Sequence, residues 1–225
     1  MALLGGPNLI DNGVVITLDA ANPVSYPGTG TTWYDISGNG NNGTLTNGPT
    51  FSSNNGGVIT LDGTNDYIFI PNNASFNVAD NISIEMWVKI GTSQPNDLGF
   101  LIKYSDGYLF YITNDSGHKF AFDSRNGDGT YYRTIGTTNI QDGVWKYLVA
   151  QKTALSYTVY VNGILEGSTT ANTVGNISGN VNLRLGTDTG TYLNGQIGLF
   201  KIYNRPLSPA EIFQNYNVVK GRFGL

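Results

Sequence analysis

Ile82-Ser83-Ile84-Glu85-Met86-Trp87-Val88-Lys89 alternates apolar and other side chains with a period of two. Successive side chains of a strand point to opposite faces, so Ile82, Ile84, Met86 and Val88 are expected to line one buried face. Trp87 shares the other face with Glu85 and Lys89, which predicts that this face is partly covered or partly used. Outward from this stretch, similar runs predict strands near Val14–Leu18, Val58–Leu61, Tyr67–Ile70, Ile82–Ile90 and Phe100–Tyr104. Others follow near Tyr108–Thr113, Phe120–Asp123, Tyr131–Thr134, Trp145–Lys152, Ser156–Val161, Ile164–Gly167, Asn182–Leu185 and Gln196–Tyr203. Their Val, Ile, Tyr, Phe, Trp and Thr content suits a pleated, half-buried surface. Asn162-Gly163 reads as a two-residue hairpin turn, because Asn-Gly tolerates positive φ at both centres. Ser105-Asp106-Gly107 and Asn114-Asp115-Ser116-Gly117 read as longer hairpin loops. Many short strands joined by turns, without alternating helices, predict a sandwich or barrel. Ser208-Pro209-Ala210-Glu211 is a capping box with Pro at the first helical position. Ile212, Phe213 and Tyr216 follow at helical spacing, so one C-terminal helix is expected to end near Asn217.

Composition narrows the function. The 225 residues are 40% hydrophobic but only 12% charged, about half the ~25% charged fraction of a typical chain. So many aromatics with so little charge exclude disorder. A net charge of −4 without any basic run leaves a nucleic-acid partner no electrostatic footprint. There is no cysteine for a disulfide framework or a thiolate metal site, and His118 is the sole histidine, so a histidine-based transition-metal cluster is excluded too. Met1-Ala-Leu-Leu-Gly-Gly-Pro7 lacks a basic region before its apolar residues, so no signal peptide is expected. No stretch approaches the roughly 18 apolar residues of a membrane span. Gly38–Asn55 is Gly/Asn-rich but punctuated by Leu45, Pro49 and Phe51, which reads as an ordered surface loop within one domain covering residues 1–225.

Three stretches carry a family resemblance. They are Leu18-Asp-Ala-Ala-Asn-Pro23 through Trp33-Tyr-Asp-Ile-Ser-Gly-Asn-Gly-Asn-Asn-Gly-Thr-Leu45; Leu61-Asp-Gly-Thr-Asn-Asp-Tyr67 with Ile82–Lys89; and Leu193-Asn-Gly-Gln-Ile-Gly-Leu-Phe-Lys-Ile-Tyr203 through Ile212. Together they resemble the laminin-G-like branch of the concanavalin A-like lectin/glucanase superfamily. The ending Gln214-Asn-Tyr-Asn-Val-Val-Lys-Gly-Arg-Phe-Gly-Leu225 is similar to that of virion structural proteins of tailed phages, cyanophages especially, and Gly5–Gly13 has the same character. The resemblance implies an all-β jelly-roll sandwich of two antiparallel sheets, here with one short C-terminal helix, with its termini close together. It further implies loops that bind glycans or protein partners, often with calcium. The expected function is a non-enzymatic virion structural or decoration protein with a lectin-like adhesion module, carried on a particle assembled in the host cytoplasm. Its expected partners are other virion proteins and cell-surface or environmental glycans, engaged by multiple copies or a homo-oligomer. A calcium-dependent lectin is the alternative, and a glycoside hydrolase a remoter one.

Individual residues can be weighed against these readings. Glycoside hydrolysis needs two carboxylates facing one scissile bond, yet the only glutamates are Glu85, Glu166 and Glu211. Glu211 is explained by capping, Glu166 follows a hairpin, and Trp87 and Lys89 stand where a second acid beside Glu85 would be. A Ser–His–Asp device would rest on His118, which reads as an exposed loop residue. By resemblance to laminin-G and pentraxin-like relatives, calcium would be held by Asp106 and Asp188, with Asp128 approaching the same rim. The competing reading makes Asp106 and Asp188 turn residues that hydrogen-bond their own backbone. Asp35, Asn39, Asp62 and Asp66 also read as structural, with Gly63 in a conformation closed to other residues. Glycan or partner contact is expected at Tyr108, Tyr111, Tyr131, Tyr132 and Tyr192, which lie on or beside strands near Asn and Asp loops. Tyr131 and Tyr132 must face opposite ways in a strand, so only one can serve as a platform. Tyrosine enrichment suits a protein interface equally well. Trp33, Trp87 and Trp145 read as packing residues. Arg222-Phe223-Gly224-Leu225 is expected to dock on its own domain or on a neighbour.

Overall fold

The alternation around Glu85 ends up at the centre of a sheet because both of its faces find cover. A computed structural model of the chain describes residues 8–78, 80–95, 97–103, 107–114, 117–125, 130–172, 177–188 and 190–225. In chain order the strands begin with β1 (Val14–Asp19), β2 (Thr32–Trp33), β3 (Gly43–Thr46), β4 (Thr50–Ser52), β5 (Val58–Asp62) and β6 (Tyr67–Ile70). Next come β7 (Asn81–Ile90), β8 (Gly99–Lys103), β9 (Tyr108–Ile112), β10 (Lys119–Arg125) and β11 (Tyr131–Asn139). The series closes with β12 (Trp145–Thr153), β13 (Ser156–Val161), β14 (Ile164–Thr170), β15 (Leu183–Leu185) and β16 (Asn194–Tyr203), then helix α1 (Pro209–Val219).

Two antiparallel sheets stack as a jelly-roll sandwich. Sheet A runs β14-β13-β12-β7-β16-β5-β4, with β1 also paired to β16. Sheet B runs β11-β10-β9-β8-β15-β6-β3-β2. Ile82, Ile84, Met86 and Val88 of β7 meet Phe100, Phe110, Phe120 and Phe122 of sheet B in the core between the sheets. Each fully buried side chain of this size stabilises by roughly 1.5–3 kcal/mol relative to exposure. The Asn162-Gly163 turn joins β13 to β14 with φ of 51° and 81°, as the sequence predicts. Gly63 takes φ 77°, and a Cβ there would stand 2.7 Å from the Asn194 Cβ. The 38–55 stretch is more ordered than the loop expected from it. It contributes β3, pinned to β6 with Leu45 in the core, and the whole of β4, paired to β5.

The outer face of sheet A carries a second apolar cluster that includes Trp87, Trp145, Tyr147 and Tyr203. Helix α1 and the 3-10 turn Lys220–Phe223 seal it. The helix starts where expected: the Ser208 side chain accepts from the Glu211 N–H while the Glu211 carboxylate accepts from the Ser208 N–H. Hydrogen bonding from Arg205 holds the Glu211 carboxyl down at about 2. It runs past Asn217 to Val219 because Val219 and Phe223 still have apolar surface to cover. Arg222 resolves the question of the C-terminal tail: it donates to the carbonyls of Asn55, Gly57 and Gly198 and pairs with Asp19 at 2.7 Å, so the tail docks on its own sandwich. The N-terminal segment lies alongside, with the Asn8 carbonyl accepting from Gln214 at 2.7 Å. Among the described residues no helix is long and apolar enough to cross a membrane.

Lysine is out of character in a core, yet Lys103 and Lys152 are both fully buried. Lys103 is fully buried at the end of β8, donating to the Gly179 carbonyl with Phe76 5.8 Å away. Burial pulls its pKa down to about 8. The unfolded chain keeps that proton to about 10.4, so between these values it binds more protons than the native state and stability rises with pH. Above about 10 the tyrosines of the unfolded chain ionise, while burial raises the pKa of Tyr108, Tyr147 and Tyr203 in the native state, and stability falls again. Lys103→Met is expected to be more stable at pH 7 by roughly 2 kcal/mol and to show a shallower rise between pH 8 and 10, the remainder coming from Lys152, whose pKa burial also lowers. Urea unfolding across that range checks both.

Candidate functional site

The two outer faces of the sandwich differ in kind. That of sheet A lies under α1, whereas sheet B has no helix across its outer side among the described residues. Alternation decides which side chains reach that open face. In β10, Phe120 and Phe122 point into the core, so Asp123 points out. The ladders then set one transverse row: Arg133 opposite Asp123, Asp123 opposite Leu109, and Leu109 opposite Ile102. The row continues from Ile102 to Arg184, Phe69, Thr44 and Thr32. Sheet B therefore presents a continuous strip across eight strands.

At one end of the strip is a fixed polar cluster. Arg133 grips Asp123 with two parallel bonds, Nε to Oδ1 and Nη2 to Oδ2, each 3.0 Å. The Tyr131 hydroxyl donates to Asp123 Oδ2 and accepts from Arg133 Nη2 at 2.9 Å. The guanidinium lies 4.4 Å above the Tyr111 ring and 5.5 Å from that of Tyr131. A bidentate pair of this kind is stronger and more directional than a single bond. Asp123 is only 2% exposed, and this burial raises its carboxyl pKa against the lowering pull of Arg133. Arg133 remains 43% exposed and Tyr131 50%, so the upper surface of the cluster is open.

The five expected contact tyrosines separate. Tyr131 stands on the open face, and Tyr132 turns inward and stacks on Tyr157 at 5.4 Å, as strand geometry requires of neighbours. Tyr108 is a correction: it is 2% exposed and belongs to the core between the sheets, so it offers no platform. Tyr111 is another, since it faces outward but is 3% exposed beneath Arg133. Tyr192 is half-buried at a bridge to Thr187, in the loop before β16.

Calcium finds a poor match. Asp188 Oδ1 accepts from Thr191 N at 3.1 Å and Thr191 Oγ1 at 2.8 Å, while Oδ2 accepts from Gly99 N at 3.1 Å. The carboxylate thus holds its own loop and ties it to β8, which is the turn role. Asp106 and Asp128 lie outside the described residues. Among the described residues no three His, Cys, Asp or Glu side chains group as metal ligands, so Asp188 does not fit a calcium site built from them.

The glutamates are all engaged. Glu85 is fully buried under α1, accepting from the Tyr147 hydroxyl and from Asn215 Nδ2 at 2.9 Å, with the Tyr203 hydroxyl at 3.1 Å. Glu166 accepts from the N–H groups of Thr137 and Thr138 at 2.8 and 3.0 Å, clamping β14 to β11 at the edge of the sandwich. Glu211 caps the helix. His118 has φ 43° and is half-buried rather than exposed. Asp35 accepts from the N–H groups of Thr17, Ser37 and Asn41, and Asp62 from that of Thr64, so both are structural as expected. Reading the sequence for aromatic platforms missed Asp123, Arg133 and Arg184. The available signal was the alternation that sends Asp123 outward from Phe120-Ala121-Phe122.

The family model described as Laminin_G_3, concanavalin A-like lectin/glucanases superfamily, matches residues 62–213. The chain belongs to this superfamily. Among solved structures, this lectin-like sandwich is similar to the binding domain of Paraclostridial Mosquitocidal Protein 1, with TM-score 0.77 and 17% identity over 92% of this chain and 52% of that one. It is also similar to the botulinum neurotoxin serotype D ligand binding domain in complex with N-acetylneuraminic acid (TM-score 0.73, 18% identity, 93% and 52% covered). A third is the binding domain of botulinum neurotoxin DC in complex with rat synaptotagmin II (TM-score 0.74, 13% identity, 93% and 52% covered). The chain spans about half of each, and at these identities the shared half establishes the concanavalin A-like fold alone. No curated protein sequence matches it.

Proposed function

We propose that this concanavalin A-like chain is a non-enzymatic adhesion module that binds glycans through the open face of sheet B. The observation that carries this reading is the contrast between the faces: sheet A is sealed by its own helix, while sheet B leaves Tyr131 and Arg133 half exposed on a fixed Asp123. A half-exposed tyrosine beside a positioned guanidinium offers a sugar an apolar ring and directed donors together. The non-enzymatic reading is supported by the glutamates, each of which is occupied in holding the fold. Support of a coarser kind comes from the structural relatives, which are binding domains, two of them in complex with N-acetylneuraminic acid or with rat synaptotagmin II. The expectation from the chain ends, which resemble virion proteins of tailed phages, is kept as part of this proposal: the module is carried on a particle assembled in the host cytoplasm. Several copies there, beside other virion proteins, would turn weak contacts into avidity. The calcium-dependent lectin is disfavoured by the hydrogen bonds that occupy Asp188.

A glycan array probed with the purified protein tests this reading. Selected glycans should be captured equally with and without EDTA, and Tyr131→Ala should weaken capture about tenfold, equivalent to ~1.4 kcal/mol. An empty array would overturn the glycan reading, and chelation-sensitive capture would restore the calcium lectin.

A further inference from the structure

The open face of sheet B is more positive than the chain that carries it. Three of the five arginines, Arg125, Arg133 and Arg184, project from it on a protein of net charge −4. Alternation with Phe120 adds Lys119 to the same side. Among the described residues, the opposing carboxylates are Asp123, already held by Arg133, and Asp97, close enough to act on both members of that pair.

Arg184 is the informative member. Its guanidinium lies 5.7 Å from the Tyr67 ring, and among the described residues its side chain makes no hydrogen bond or ion pair. A guanidinium carries five N–H donors in a rigid fork. Contact with a ring restricts it in advance, so less freedom is lost when those donors meet a ligand. Along the transverse row, Ile102 and Leu109 separate Arg184 from the Asp123–Arg133 pair. Four strand steps of about 4.8 Å place the two arginines ~19 Å apart. The strip thus carries, among the described residues, an unpaired cation midway along it on β15 and a neutralised, half-open tyrosine cluster at its β11 end, with the apolar Ile102 (5% exposed) and Leu109 between them.

Building on the reading of sheet B as the glycan face, we propose that its ligand is an acidic polysaccharide lying across the strands, with a carboxylate or sulfate group on Arg184 and a sugar ring against Tyr131. Charge complementarity selects this occupant. A neutral glycan would leave the Arg184 donors without a matching acceptor charge. A nucleic acid would meet a chain of net negative charge with no basic run.

The test is retention of the full chain on immobilised polygalacturonate, dextran sulfate and neutral dextran, at low and physiological salt. Retention is expected on at least one acidic polymer and not on dextran, weakening as salt rises. Arg184→Gln should reduce it about tenfold, while Lys89→Gln, a cation lost from sheet A, should leave it unchanged. Equal retention on dextran, with Arg184→Gln indifferent, would overturn the acidic ligand while leaving the glycan face standing. Equal losses in the two variants would overturn it as well, since general charge would explain both. No retention on these polymers, with an array on which only neutral glycans bind, would overturn the acidic ligand alone; an array that is empty too would overturn both readings.

Discussion

Replacing Glu85 by Ala should lower stability by about 3–5 kcal/mol, because removing one partner from a buried charged network leaves the others unpaired. The Tyr147 hydroxyl loses its acceptor and Asn215 Nδ2 keeps only the Tyr203 hydroxyl, in a fully buried place. Burial and the Glu85 charge hold the Tyr147 hydroxyl well above its ordinary pKa, so it stays protonated and needs an acceptor. The damage should spread to the N-terminal segment, since Asn215 also accepts from Ile10 N at 2.9 Å. A melting temperature lower by roughly 10 °C is expected from 2–4 °C per kcal/mol in a chain of this size. Glu85→Gln keeps an oxygen for Tyr147 and should cost no more than about 1.5 kcal/mol. Thermal melts measure both losses. Glycan capture by the folded fraction of either variant should be unchanged, and no reducing ends should be released from the captured glycan by the wild type or by either variant, whereas a catalytic glutamate would give release that the substitutions abolish.

The second large effect is expected at Phe223. Its ring stacks on Trp87 at 4.6 Å and lies 4.3 Å from Trp145, closing the outer face of sheet A. Gly198 makes room for it: a Cβ at that position would stand 2.5 Å from the ring. Phe223→Ala removes this plug and should cost about 3–5 kcal/mol, read as a lower midpoint in urea. The same cost with glycan capture intact would show that the sealed face stabilises and the open face binds. Loss of binding in the folded Phe223→Ala protein would contradict that division.

Much of the sandwich was legible because alternation is a local property. Every strand expected from the pattern occurs, with ends shifted by no more than two residues except in β11 and β14, which run on by five and three residues, mostly into polar positions. The missed strands, β2, β3 and β4, are two to four residues long, too short to show a period. Their order comes from ladder partners and from close fits such as Gly43, where a Cβ would lie 2.7 Å from Ile68 Cγ2. The Ile82–Lys89 pattern correctly marked the face of Glu85 and Trp87 as covered or used. What covers it is a helix over a hundred residues further on, which no local pattern names. Tyr108 and Tyr111 show the same limit from another side. Being three apart they cannot share a face of one strand, and Tyr108 enters the core while Tyr111 is hidden by an arginine from β11. The Asp123–Arg133 pair needs the register between β10 and β11, and the sequence alone leaves the length of that hairpin loop open.

Hydrogen exchange of the protein, free and saturated with the tightest glycan from the array, tests the division of faces most directly. Binding on the open face should slow exchange in Tyr108–Ile112, Lys119–Arg125, Tyr131–Asn139 and Leu183–Leu185, leaving Pro209–Val219 and Asn8–Asp11 unchanged. Protection confined to the helix and the N-terminal segment, with sheet B unaffected, would contradict it.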